Sequence, residues 1–144
     1  MRFTFRKEEH LCSRQLIDRL YTEGDRLMAF PYSVQWMVLP DVDTALRPSH
    51  FTAHGTPCQV MIVAPKRKFK HAVDRNRVRR LTRECYRTRK HELYAFLQQH
   101  GLKVVFSMVY VHNEIMTFEH LGRKMDKLLA ALMKDIEAKQ TSAT

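Results

Sequence analysis

Residues 71–90 read HAVDRNRVRRLTRECYRTRK and carry eight Lys or Arg against two acids, Asp74 and Glu84. Like charges three or four residues apart on a helix repel. Such a segment stays helical only if the rest of the chain covers one side and the other meets water or a polyanion. At about 100° per residue, Val78, Leu81 and Cys85 form one narrow apolar stripe, expected to face a sheet. Asn76, Arg79, Arg80, Arg83, Arg87 and Lys90 fall on the opposite side, within roughly 100° of each other. Arg75 and Arg89 sit beside the stripe, where long stems can cover apolar surface while their heads reach water.

The charge is concentrated rather than general. Residues Lys66 to Lys90 hold twelve Lys/Arg and two acids, a net +10, and the remaining residues hold thirteen of each sign. The whole net charge of the protein therefore lies in this one segment. A solvated face needs no such bias, whereas a surface that steers and holds a polyanion does. Arginine forks match phosphate oxygens, which accounts for arginine outnumbering lysine on the helix. The amide of Asn76 can serve a phosphate, a 2′-hydroxyl, water around a hydrated cation, or the helix's own first turn.

Periodicity supplies the frame for this helix. SRQLIDRLYTEG predicts a short helix with Leu16 and Leu20 paired, capped by Ser13 and ended by Gly24. PYSVQWMVL alternates as a strand, with Tyr32, Val34, Trp36 and Val38 on one face and Ser33, Gln35 and Met37 on the other. Trp36 is expected in the core. Pro40 to Pro57 reads as a long connection that could hold one more short strand. CQVMIVAP is a buried strand. A long helix should follow from about Ala72 to His91, with room to continue to His100 before Gly101 stops it. LKVVFSMVYV is a further strand. TFEHLGRKMDKLLAALMKDIEAK closes the chain as a helix with Leu121, Met125, Leu128, Leu129 and Leu132 inward. The order is α-β-β-(β)-α-β-α, a single α+β domain over 1–144, with a core of about 5–137 and a frayed 138–144.

The side chains available for chemistry point away from a protein active site. Eight histidines are scattered, and His50 and His54 lack supporting carboxylates. Cys12, Cys58 and Cys85 are too widely spaced for a zinc site or a disulfide framework. No acidic cluster suggests a two-metal nuclease, and no serine has a nucleophile's neighbours. The expectation is no catalytic residue and no metal ligand. With 44% apolar residues and no membrane-length apolar run, a cytoplasmic protein is expected, with no membrane and no obligate protein partner.

KRKFKHAVDRNRVRRLTRECYR strongly resembles the signature of the bacterial ribonuclease P protein family, an AV-x-RNR-x-[KR]R-x-x-R-E run. The matching residues are Ala72, Val73, Arg75, Asn76, Arg77, Arg79, Arg80, Arg83 and Glu84. The resemblance extends from Phe5 to about Ile136. It departs in the Pro40–Pro57 connection and at Lys70, where many relatives have glycine. It implies a fold like the second domain of ribosomal protein S5, with the basic helix in a left-handed βαβ crossover rather than the usual right-handed one. It implies that an RNA subunit cleaves precursor tRNA with Mg²⁺, and that the protein binds that RNA and the 5′ leader. No cofactor is expected on the protein alone.

By the same resemblance, Arg75, Asn76, Arg77, Arg79, Arg80, Arg83, Arg87 and Lys90 contact the RNA subunit. A cleft between the first helix and the sheet receives the leader, at positions carried over as Ile17, Tyr21 and Gln35. The basic loop Lys66, Arg67, Lys68 and Phe69 adds phosphate contacts, since single strands are gripped by stacking together with positive charge. Two alternatives stay open: a ribosomal-type RNA-binding module, and a DNA-binding helix. The arginine-rich sector looks suited to backbone contact rather than base readout.

Overall fold

The computed structural model describes residues 5, 9–39 and 57–143. It contains α1 (Arg14–Glu23), β1 (Asp25–Ala29), β2 (Tyr32–Val38), β3 (Cys58–Val63), α2 (Ala72–Arg89), α3 (His91–Gln99), β4 (Val104–Tyr110) and α4 (Phe118–Ala143). The four strands form one mixed sheet in the order β1-β2-β4-β3. β2 runs antiparallel to β1 and β4, while β3 is parallel to β4. The α+β class stands.

Side-chain alternation divides the sheet between two apolar clusters. Tyr32, Val34, Trp36, Val60, Phe106, Met108 and Tyr110 point to the side occupied by α2 and α4. There they meet Val78, Cys85 and Tyr86 of α2 and Leu121, Met125, Leu128, Leu132 and Ile136 of α4. Met37, Leu39 and Val105 face the other way, against Leu11, Leu16 and Leu20 of α1 and the segment before it. Each buried leucine of this kind contributes about 1.5–3 kcal/mol. Ser13 caps α1 by accepting from the Leu16 amide. Gly24 follows α1 because a side chain there would meet the Leu20 carbonyl oxygen at 2.4 Å.

Several expectations are corrected. DRLMA forms a strand, β1, that the periodicity did not predict, while the short strand expected in the Pro40–Pro57 connection falls, up to Thr56, outside the described residues. The long helix divides at Lys90, although Lys90 N–H still donates to Tyr86 O and Tyr94 N–H to Lys90 O. Gly101 ends α3 as expected, with φ of 65° and Leu102 N–H bonded back to Leu97 O. The buried stripe of α2 is Val78, Thr82, Cys85 and Tyr86, with Leu81 only half-buried. The stripe is wider than the projection because α2 is wedged between the sheet and α4. Thr82 is admitted because its hydroxyl lies 2.7 Å from the buried Tyr32 hydroxyl. The chain end is not frayed from 138: α4 continues to Ala143, and Lys139 pairs with Asp25 while lying 5.5 Å from the Trp36 ring centre.

The N-terminal segment closes the structure. His10 forms a parallel bridge with Val60, and Leu11 N–H donates to Val60 O at 2.9 Å. This brings Glu9 onto the ammonium of Lys90, an ion pair with both side chains almost fully buried. Tyr94 donates to the same carboxylate at 2.6 Å. Burying two charges costs several kcal/mol each unless they are paired. Glu9→Ala should therefore destabilise the protein by about 3–5 kcal/mol, lowering Tm by on the order of 10 °C. The double replacement Glu9→Leu/Lys90→Met should recover most of that loss in the same melting experiment.

Candidate nucleic-acid interface

α2 presents its charge on the side away from the sheet. Asn76, Arg77, Arg80 and Arg83 are exposed, with Arg79 and Arg87 half-exposed beside them. Two of the arginines are taken up locally. Arg87 binds Glu84 at 2.6 Å, and Arg79 donates to the Asn76 side-chain oxygen. Arg75 turns back and donates to the Phe69 and Lys70 carbonyls at 2.9 and 2.8 Å, fastening the loop to the start of the helix. Arg89 leans the other way, onto α4, where it binds Asp126 at 3.0 Å. Its guanidinium occupies the space that a side chain at Gly122 would need. Arg77, Arg80 and Arg83 have no ion-pair partner among the described residues. They span about 9 Å along the axis at 1.5 Å per residue.

Lys90 does not belong to this face. It is 3% exposed, held by Glu9 and flanked by the rings of Phe5 and Tyr94 at 5.6 and 5.0 Å. The projection fails there because the N-terminal segment folds over the end of α2 and covers the sector that is open at Asn76.

The opposite side of the sheet is only partly covered. α1 lies over Met37 and Val105. Beyond it, strand register sets Arg26, Gln35, Ser107 and Met61 in one row, and Met28, Ser33, Val109 and Val63 in the next. Gln35 is half-exposed in the first row, Ile17 is half-buried against the α1 cluster, and Tyr21 is 45% exposed. Ile17 and Tyr21 lie on α1, and Gln35 lies in the sheet row beyond it. Lys66 and Arg67 are exposed in the turn after β3, and Lys68 donates to the Asn113 side chain at 3.2 Å. Phe69 is a correction: it is 7% exposed and packs 5.8 Å from the Tyr110 ring, inside the α2 core. It cannot offer a stacking face. Arg26 and the 65%-exposed Met28 were missed because β1 was missed. The alternation of Leu27 and Ala29 with Arg26 and Met28, just after Gly24, is the signal that marks them.

Two of the three thiols are buried. Burial pushes the thiols of Cys58 and Cys85 up to about 12 and about 11. Among the described residues no group of three His, Cys, Asp or Glu could hold a metal ion; His50 and His54 lie outside them. His10 is held below the ordinary 6.5, first by burial and then by the charge of Arg83, with Glu9 opposing.

A family model described as Ribonuclease P matches residues 5–133. The chain belongs to the ribonuclease P protein family. It is 29% identical over 134 residues to a ribonuclease P protein component of Porphyromonas gingivalis, covering 93% of this chain and 90% of that one. To the one of Chlorobium phaeobacteroides it is 26% identical over 133 residues, covering 88% and 86%. Solved structures share the fold: the Staphylococcus aureus RNase P protein (TM-score 0.61, 15% identity, 86% of this chain and 94% of that one) and the Thermotoga maritima RNase P protein (0.58, 18%, 84% and 94%). Membership makes this chain an RNA-binding subunit of ribonuclease P, the ribonucleoprotein that matures tRNA 5′ ends, with the ribonuclease P RNA as its partner. The ribosomal-type and DNA-binding alternatives fall away.

The electrostatics of His10 give a test of the exposed arginines. Its folded value lies below 6.5, so as pH falls the unfolded chain takes up that proton first. The residue's contribution to stability is lost as pH drops from 6.5 toward the folded value. Arg83→Gln should raise the His10 midpoint in an NMR titration. An unmoved midpoint would assign the depression to burial alone.

Proposed function

We propose that the exposed face of α2 anchors the ribonuclease P RNA through its phosphates, while the open face of the sheet beside α1 takes the 5′ leader of precursor tRNA. Asn76, Arg77, Arg80 and Arg83 make the anchor, with Arg79 and Arg87 at its margin and Arg75 positioning the loop that leads into it. Ile17, Tyr21 and Gln35 border the leader path, and Lys66, Arg67 and Lys68 supply charge at its far end. The observation that carries this reading is the set of three exposed arginines without acidic partners among the described residues, in the segment that holds the whole net charge.

Cleavage is assigned to the RNA with Mg²⁺. The chain's own part is to bind and orient. One domain performs both tasks. Its β3–α2–α3–β4 connection is taken as the left-handed crossover of the ribosomal S5 type that the family signature implies. The complex is placed in the cytoplasm, in keeping with the absence, among the described residues, of a helix long and apolar enough to cross a membrane.

The test is cleavage of a 5′-extended precursor tRNA by the cognate RNA at low Mg²⁺. The protein should restore cleavage, and Arg80→Ala/Arg83→Ala should not. Each single replacement should also lower the salt dependence of RNA binding by about one phosphate contact. An unchanged salt slope would reduce this helix face to solvated surface. Tyr21→Ala should weaken precursor binding by roughly tenfold while sparing mature tRNA. Equal loss for both RNAs would make Tyr21 structural.

A further inference from the structure

Three loops converge at the end of the sheet away from α1. The strand register puts the start of β2, the end of β4 and the end of β3 side by side, since Tyr32 pairs with Tyr110 and Val63 with Val109. The Phe30–Pro31 turn is tied to the loop after β4 by Val111 N–H donating to Pro31 O at 2.8 Å. That loop is tied in turn to the basic turn after β3 by Lys68 and Asn113.

Phe30 is 48% exposed at this meeting point, beside the 65%-exposed Met28. Its ring centre lies 5.0 Å from that of His112, tilted by 59°, so the imidazole buttresses the phenyl ring without covering it. An exposed aromatic ring at the same end of the sheet as Lys66, Arg67 and Lys68, linked to them through His112 and the Asn113–Lys68 hydrogen bond, combines the two elements that grip single-stranded RNA: a face for a base and charge for its phosphates. Phe69, within the basic loop itself, is buried and offers no such face. Phe30 stands at the same end of the sheet.

We infer that Phe30, supported by His112, is a second stacking platform for an unpaired leader base, one step along the sheet from the nucleotides over Gln35. This rests on the proposed leader path. At about 3.4 Å per residue, the start of β2 lies about 10 Å beyond Gln35, so only a leader long enough to cross that gap reaches the platform. Stacking accepts any base, and Phe30 therefore adds affinity for leader length rather than for sequence.

The experiment measures binding of a precursor series with stepwise longer leaders, and of mature tRNA, to the reconstituted holoenzyme. Wild type should gain affinity at two leader lengths. Phe30→Leu should lose the second gain, roughly tenfold, and match wild type for short leaders and mature tRNA. Phe30→Trp should retain it, and His112→Ala should weaken it. The platform is overturned if Phe30→Leu keeps both gains while Tyr21→Ala loses the first, and the leader path itself survives that result. It is also overturned if Phe30→Leu weakens every RNA equally, or if it changes the sedimentation of the free protein, which would make the patch a contact between copies. No gain at any leader length in wild type, with Tyr21→Ala also silent, would overturn the leader path instead.

Discussion

The arrangement depends on the parallel pairing of β3 with β4. Two parallel neighbours cannot be joined by a tight turn; the chain must travel back along the sheet before the second strand begins. In this protein that return journey is α2 and α3, the stretch that carries the charge. The need to complete a parallel pair thus presses the basic helix against a sheet, and the sheet in turn covers the one apolar stripe the helix has. β4 sits between β2 and β3 with nearly every residue buried, so its run of apolar residues has two layers to satisfy. One layer is α1, the other α2 with α4.

That layering separates two surfaces of different character. The arginines of α2 lie on one side of the molecule, and the partly open rows around Gln35 lie on the other. The rigid sheet fixes the distance between them. In the proposed reading, the subunit holds a large RNA by one side and a flexible strand by the other, and so aligns the two.

Most of the frame was legible. The strands β2, β3 and β4 and the helices α1 and α4 follow from periodicity, because their apolar residues serve a single face or a fully buried strand. β1 was not, since five residues with an acid and an arginine give a weak pattern, and its burial comes from β2 and α4 rather than from its own composition. On the basic helix, projection predicted the exposed positions near Asn76 well. It failed at Lys90, where the decisive partner is Glu9, a residue remote in sequence. Phe69 misled for a related reason: a phenylalanine in a basic loop reads as a contact residue until the loop is seen to fold inward, drawn by Arg75 bonding its carbonyls.

The pairing of Glu9 with Lys90 also bears on how the protein is made. The two residues are 81 positions apart, and the first leaves the ribosome well before the second exists. At bacterial or eukaryotic elongation speeds of about 5–20 residues per second, the carboxylate waits roughly 4–16 s for its ammonium. The β3 edge that guides it, near Val60, emerges in the meantime. The N-terminal segment therefore cannot complete its docking until the end of α2 has been made, and its closure over α2 marks a nascent chain whose basic helix is already in place.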